Sequence, residues 1–240
     1  MKATLFEFRN RRWFIISIFL AAFEFYRIDR EASGAASAQW LAFHFGHASV
    51  NAWMRIVFIF AAVLLVISAA LRSWGTSYLQ TAVMQSRSVH SDRLLADGPF
   101  RHVRNPLYLG NQFMGVGVGL LASRTGFVFL LVANLLFHYR LILREEAQLS
   151  ATQGEKYRAY CAAVPRLWFS PWPRVPAAGN QPHWLNGFFG EIFHWSMALG
   201  GILYAFSLNM RLYWFVFVLS LVPGTWYRFH EARKRPNVQT

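Results

Sequence analysis

Six blocks of apolar residues, near 13–28, 50–71, 107–122, 125–142, 188–208 and 212–229, run through this 240-residue sequence. Each is close to the roughly 17–25 residues that a helix needs to cross a bilayer. Inside lipid, every backbone N–H and C=O must find a partner within the element, and for segments of this length that leaves the α-helix. The expectation is therefore an all-α integral membrane protein with about six transmembrane helices and polar loops between them. The block at 107–122 is the shortest and carries Asn111 and Gln112. The first block opens at Trp13 and has no small-residue cleavage site behind it, so it reads as a membrane anchor, not a signal peptide.

The formal net charge of +13 invites a nucleic-acid partner, but the placement of the basic residues explains it better. With the N-terminus in the cytoplasm, the outside segments hold only Arg27, Arg30, Arg55, Arg124 and Arg211 of the 24 Lys and Arg. The rest gather inside, as the positive-inside rule requires of a multi-pass protein. Both termini then lie in the cytoplasm, at the inner membrane if the cell is bacterial, and the partner implied is the lipid bilayer. The basic residues lack the stacking platforms that would argue for nucleic acid. Oligomeric state leaves no mark in the sequence.

Two stripes of polar and small residues stand out within the apolar blocks. Tyr108, Gln112, Gly115 and Gly119 recur at i, i+4, i+7 and i+11, which places them on one face of the third span. Gly115 and Gly119 form a small-xxx-small pair that lets another helix approach closely, and Gly117 adjoins them. Only Ser123, Arg124 and Thr125 separate spans three and four, so the two form an antiparallel hairpin. Span four carries the matching stripe Asn134, His138, Leu141 and Glu145. Polar residues along one face of a membrane helix are costly unless they meet protein, water or ligand. Glu145 is thus expected to point into the bundle, with Glu146, about 100° further round, holding the segment that follows.

Elsewhere, Glu24 beside Arg27 reads as an interfacial ion pair, and residues 72–97 as a polar cytoplasmic connection ending in the turn formers Asp97, Gly98 and Pro99. A short amphipathic helix is expected from Gly154 to Ala163, after which Pro165, Pro171, Pro173, Pro176 and Pro182 exclude a long helix. Glu191 and His194 form an ExxH in span five, an intramembrane pair that is a functional candidate by default. No P-loop, GxGxxG, GxSxG or HExxH is present. A lone ExxH and a single cysteine, Cys161, do not make a metal cluster, so no metal is expected.

Four strings in order, GPFRHVRNPLYLG (98–110), REEAQL (144–149), GEKYRAY (154–160) and VPR (164–166), resemble the isoprenylcysteine carboxyl methyltransferase and phospholipid methyltransferase superfamily. The resemblance covers about residues 92–171. It implies three parts: membrane helices and a connection at 1–91, a methyltransferase core at 92–171, and a linker with a two-helix membrane hairpin at 172–240. It also implies S-adenosylmethionine as cofactor, held where spans three and four end in the cytoplasm, and a lipophilic or small membrane-accessible acceptor such as a carboxylate, amine or thiol. Carried over residue by residue, cofactor contacts fall on Arg101, His102, Arg104, Asn105, Pro106, Tyr108, Gly110, Glu145, Glu146, Tyr157 and Tyr160, and the stripes add Gln112 and His138 beside them. In this reading Glu145 and Glu146 suit the ammonium or ribose hydroxyls, Arg104 suits the carboxylate, and the three tyrosines cover adenine. Asn105, Glu145 and Arg166 are the residues implied at the reacting end, with Arg166 closing the site by ion pairing. Asn105 stands where the family has histidine, and asparagine hydrogen-bonds but cannot titrate. That departure gives the alternative, a membrane subunit that keeps the fold without catalysis.

Overall fold

The computed structural model describes residues 2–46, 49–86 and 96–234. Residues 87–95, and with them the expected boundary between 91 and 92 and part of the polar connection, lie outside the described residues. The helices are α1 (Leu5–Arg9), α2 (Arg11–Glu24), α3 (Ser33–Phe45), α4 (Val50–Ser86), α5 (Pro106–Gly119), α6 (Arg124–Ala163), α7 (Trp184–Gly190), α8 (Ile192–Ser207) and α9 (Met210–Lys234). Among the described residues there is no strand, only an isolated bridge between Ala32 and Ser123. Of the six expected spans, two coincide with helices long and apolar enough to cross a membrane, Val50–Leu79 and Arg124–Ala163. Ile56, Phe60 and Val63 on α4, and Val128, Val132 and Leu136 on α6, leave an exposed apolar stripe on each. Rows of that kind fit a lipid surface.

Neighbouring helices form a row in the order α2, α6, α5, α4, α8, α9. Glycines set the close approaches in its middle. A Cβ on Gly110 would stand 2.5 Å from Arg72 Cγ on α4, and one on Gly117 would stand 2.9 Å from Leu65 Cγ on the same helix. Gly115 and Gly119 look the other way, onto Asn134 and onto Phe127 and Leu130 of α6. Gly117 therefore belongs to a different face from the Gly115 and Gly119 pair it adjoins in sequence. At the outer end of the row, Ile15 and Ile18 of α2 pack against buried Phe137 and Leu141 of α6.

Three expectations are corrected by these elements. The stretch after Asp29 contains α3, whose buried Ala38 packs with Val57, Phe58 and Ala61 of α4. The helix expected to end at residue 71 continues as α4 to Ser86, held by tertiary contacts that override propensity, such as Thr76 to Glu191 and Ser73 to Trp195. Span five is two helices, with Glu191 at the junction between Gly190 and Ile192. The short helix expected at 154–163 is the last part of α6, set off by Gly154, whose φ of +59° interrupts the helical backbone. Glycine adopts such an angle without strain.

Candidate functional site

The two stripes meet residue by residue where α5 packs on α6. Tyr108 donates its hydroxyl to Glu145 Oε1 at 2.8 Å. The carboxamide of Gln112 stands 2.8 Å from His138 Nδ1, and Asn111 Nδ2 lies 3.4 Å from His138 Nε2. Asn134 Nδ2 donates to the Asn111 carbonyl at 3.4 Å. Helical spacing on both partners produces this seam, because positions i, i+4 and i+7 on antiparallel helices fall opposite one another. His138 and Asn134 are fully buried in it, whereas Tyr108 and Glu145 at its end are half-buried.

Glu146 gathers the second half of the site. It is the more buried of the two glutamates, and it receives Arg166 through Nη2 at 2.8 Å and Nε at 3.0 Å. Arg104 Nη1 approaches its other oxygen at 3.4 Å. Asn105 Nδ2 donates to the same oxygen at 3.3 Å and to the Arg166 carbonyl at 3.1 Å. Asn105 is also the residue before α5, yet its side chain does not cap that helix; Pro106, which has no N–H to satisfy, starts it. Arg166 further donates to the Tyr139 hydroxyl at 2.7 Å and lies over its ring. Hydrogen bonding to the Glu146 carboxylate pushes the Arg166 guanidinium above its ordinary pKa.

Several residues expected to touch a cofactor are instead occupied with the chain. Arg101 Nε donates to the Val175 carbonyl, and His102 bonds the Ser170 carbonyl through Nδ1 while stacking on Phe169. Together with Arg104 N to the Pro165 carbonyl at 2.9 Å, these bonds fasten the Pro-rich segment to residues 101–104. Tyr157 and Tyr160 lie in a buried cluster with Ala96 and Val164, and Tyr160 donates to the Phe100 carbonyl, so protein covers their rings. Pro106 and Gly110 pack against α4.

Other groups at the site were not apparent from the sequence. Asp97, read as a turn former, accepts from the backbone of Ala178, Gly179 and Asn180 and from the Asn180 side chain. Arg72, read as a loop cation, is mostly buried on α4 and donates to Glu191 through Nε at 2.7 Å and Nη2 at 3.1 Å. Its Nη1 donates to the Leu107 carbonyl at 3.0 Å and to Asn111 Oδ1 at 2.8 Å. Thr76 completes the Glu191 shell at 2.7 Å, and His194 Nδ1 lies 2.9 Å from the same carboxylate.

What remains open in this region is a small set of polar groups at one end of the α5–α6 hairpin. Arg104 Nε is buried and has no hydrogen-bond partner. Glu145 accepts one hydrogen bond among the described residues, from Tyr108. One cation and one carboxylate with unused capacity can take a zwitterionic ligand.

Residues 54–156 match the phospholipid methyltransferase family. The match covers less than half of the chain and is consistent with a membrane methyltransferase of the isoprenylcysteine carboxyl and phospholipid methyltransferase kind. It takes in α5, most of α6 and, with them, Arg104, Asn105, Tyr108, His138, Glu145 and Glu146. The phospholipid methyltransferase family implies a methyltransferase enzyme and suggests action on membrane-associated acceptors. No curated protein and no solved structure matches the chain.

Proposed function

We propose that this protein is an S-adenosylmethionine-dependent methyltransferase spanning the membrane several times, with both termini cytoplasmic, that acts on a lipophilic or small membrane-accessible acceptor. The core is the segment 92–171, preceded by membrane helices and followed by a C-terminal hairpin. The observation that carries this reading is the unused hydrogen-bonding capacity of Arg104 and Glu145 inside the family-matched residues. An amino-acid moiety has a carboxylate for the first and an ammonium for the second. Tyr108, Gln112 and His138 line the seam beside them. Asn105 and Arg166, tied to Glu146, hold that carboxylate away from the ligand and close the site from the loop side.

When bound, S-adenosylmethionine supplies an electrophilic methyl group. The protein's own contribution is alignment of the acceptor at about 3–3.5 Å and exclusion of water, which matter more for a displacement than acid or base help. A carboxylate or thiolate acceptor needs no base. An amine must first lose its proton, and Glu145, with an oxygen to spare, is the carboxylate placed to take it. Asn105 is fixed by two donated bonds, to Glu146 and to the Arg166 carbonyl, so the site stays ordered without the histidine, which favours the enzyme over the non-catalytic subunit.

Calorimetry on the protein in lipid nanodiscs tests the reading. Binding of S-adenosylmethionine is expected, with Glu145→Ala abolishing it. Wild-type protein that shows no heat of binding sinks the proposal.

A further inference from the structure

The ExxH of the C-terminal half lies outside the family-matched residues, yet its glutamate stands at one end of a hydrogen-bond chain that reaches the site. We infer that Glu191 and Arg72 are positioning residues: through Asn111 they fix which nitrogen of His138 carries the proton, and thereby how Gln112 presents its carboxamide. Only the consequence for cofactor affinity rests on the function proposed above.

The chain follows from donor and acceptor inventories. Glu191 takes Arg72 Nε and Nη2 side by side at 2.7 and 3.1 Å, a two-point grip that fixes the plane of the guanidinium. The glutamate is itself held by Thr76 and faces His194, so it cannot swing. Arg72 Nη1 is thereby aimed at Asn111, 2.8 Å away. A guanidinium only donates, so Asn111 must turn its oxygen towards Arg72 and its amide nitrogen towards His138. That nitrogen, 3.4 Å from His138 Nε2, also only donates, and Nε2 must therefore offer a lone pair.

His138 is fully buried and its bonds are to two neutral amides, so its imidazole is neutral and carries one proton. With Nε2 accepting, the proton sits on Nδ1. The Gln112 carboxamide stands with its amide nitrogen 2.8 Å from Nδ1; with Nδ1 donating, that end must instead be the oxygen, and the two ends of an amide exchange places by a half-turn of the group. The Gln112 amide nitrogen is left facing away from His138 with its two donors available. Removing the Arg72 donor frees Asn111 to turn over, and with it both tautomers of His138 and both settings of Gln112 become accessible.

Deleting one member of a buried ion pair strands the other, so the pair is best replaced together by apolar residues of similar length, Arg72→Met with Glu191→Met. Nitrogen-15 NMR of histidine-labelled protein in micelles, with His138→Gln to assign the resonances, reads the tautomer directly. Wild type should show His138 with a protonated Nδ1 and a bare Nε2. The paired variant, and separately Asn111→Leu, which leaves the ion pair in place, should show two tautomers in exchange. Affinity for S-adenosylmethionine should fall about tenfold in both, the effect of one hydrogen bond no longer oriented. A wild type protonated on Nε2 overturns the inference. So does a folded paired variant, or a folded Asn111→Leu, that keeps the wild-type His138 pattern. The tautomer is measured without cofactor, so a protein that never binds S-adenosylmethionine refutes the proposed function and leaves this inference to be judged on the imidazole alone.

Discussion

Two buried glutamates, each gripped by arginine, behave differently. Glu191 meets Arg72 side by side, with Thr76 and His194 filling the remaining directions; the side chains of the ion pair are 14% and 7% exposed. Glu146 meets Arg166, whose side chain is 32% exposed, and Arg104, which keeps a buried Nε without a partner. Arg72 uses all three of its nitrogens; Arg104 has one left over. Saturation suits a joint between elements, here α4, α5 and the α7–α8 junction. Leftover capacity suits a place where something else binds.

The largest effect expected from this contrast is on stability. Glu191→Ala leaves Arg72 charged and buried, and should cost about 3–5 kcal/mol in denaturant unfolding from micelles. Arg166→Ala should cost clearly less, because Glu146 keeps Arg104 beside it; equal losses would erase the distinction. Next comes ligand affinity. Arg104→Met should weaken S-adenosylmethionine binding roughly 100-fold in calorimetry, the value of one charge-assisted contact, while changing unfolding little. A variant that binds as wild type would show that the spare donor is only a packing defect. Asn105→Leu removes two donated bonds and should cost about 1 kcal/mol for each in the same unfolding assay.

The smallest effect belongs to an exposed cluster at the other end of the hairpin. The Arg124 guanidinium, bonded to Asp29, holds that carboxyl below its ordinary pKa, helped by the Thr125 backbone N–H. A depressed carboxyl contributes stability above its unfolded value of about 3.9 and loses it as the pH falls through its lower folded value. Asp29→Asn should therefore lower stability slightly at pH 7, change it little at pH 3, and so flatten a minor part of the profile below about pH 4, with the difference fading in high salt. Thermal unfolding at pH 7 and pH 3 checks this.

The paired stripes on α5 and α6 were legible because both partners are local helices with a fixed period: Tyr108 with Glu145, Gln112 with His138 and Gly115 with Asn134 follow from spacing alone. The ion pair of Glu24 with Arg27 was legible for the same reason, being one turn apart. Arg72 was hidden because the apolar run stops at Leu71, and hydropathy cannot tell a helix that turns polar from a helix that ends. Asp97 and the 178–180 backbone are joined loop to loop, where no period exists to be read. The division of labour between Glu145 and Glu146 showed up as a rotation of about 100°. Which of them is more buried depends on Arg166, whose own position is set by hydrogen bonds to residues more than a helix away.

The Arg72 and Glu191 pair also has a bearing on biosynthesis. Its two members are 119 residues apart, so the arginine leaves the ribosome and reaches the insertion machinery long before its carboxylate exists. Until then a cation near the end of the most apolar span has to linger at the membrane surface, where headgroups and water can solvate it. Only when Glu191 follows is that cation neutralised. Chains truncated ahead of residue 184 should therefore accumulate poorly and be cleared by membrane proteases, and the paired methionine replacement should relieve that dependence in pulse-chase labelling.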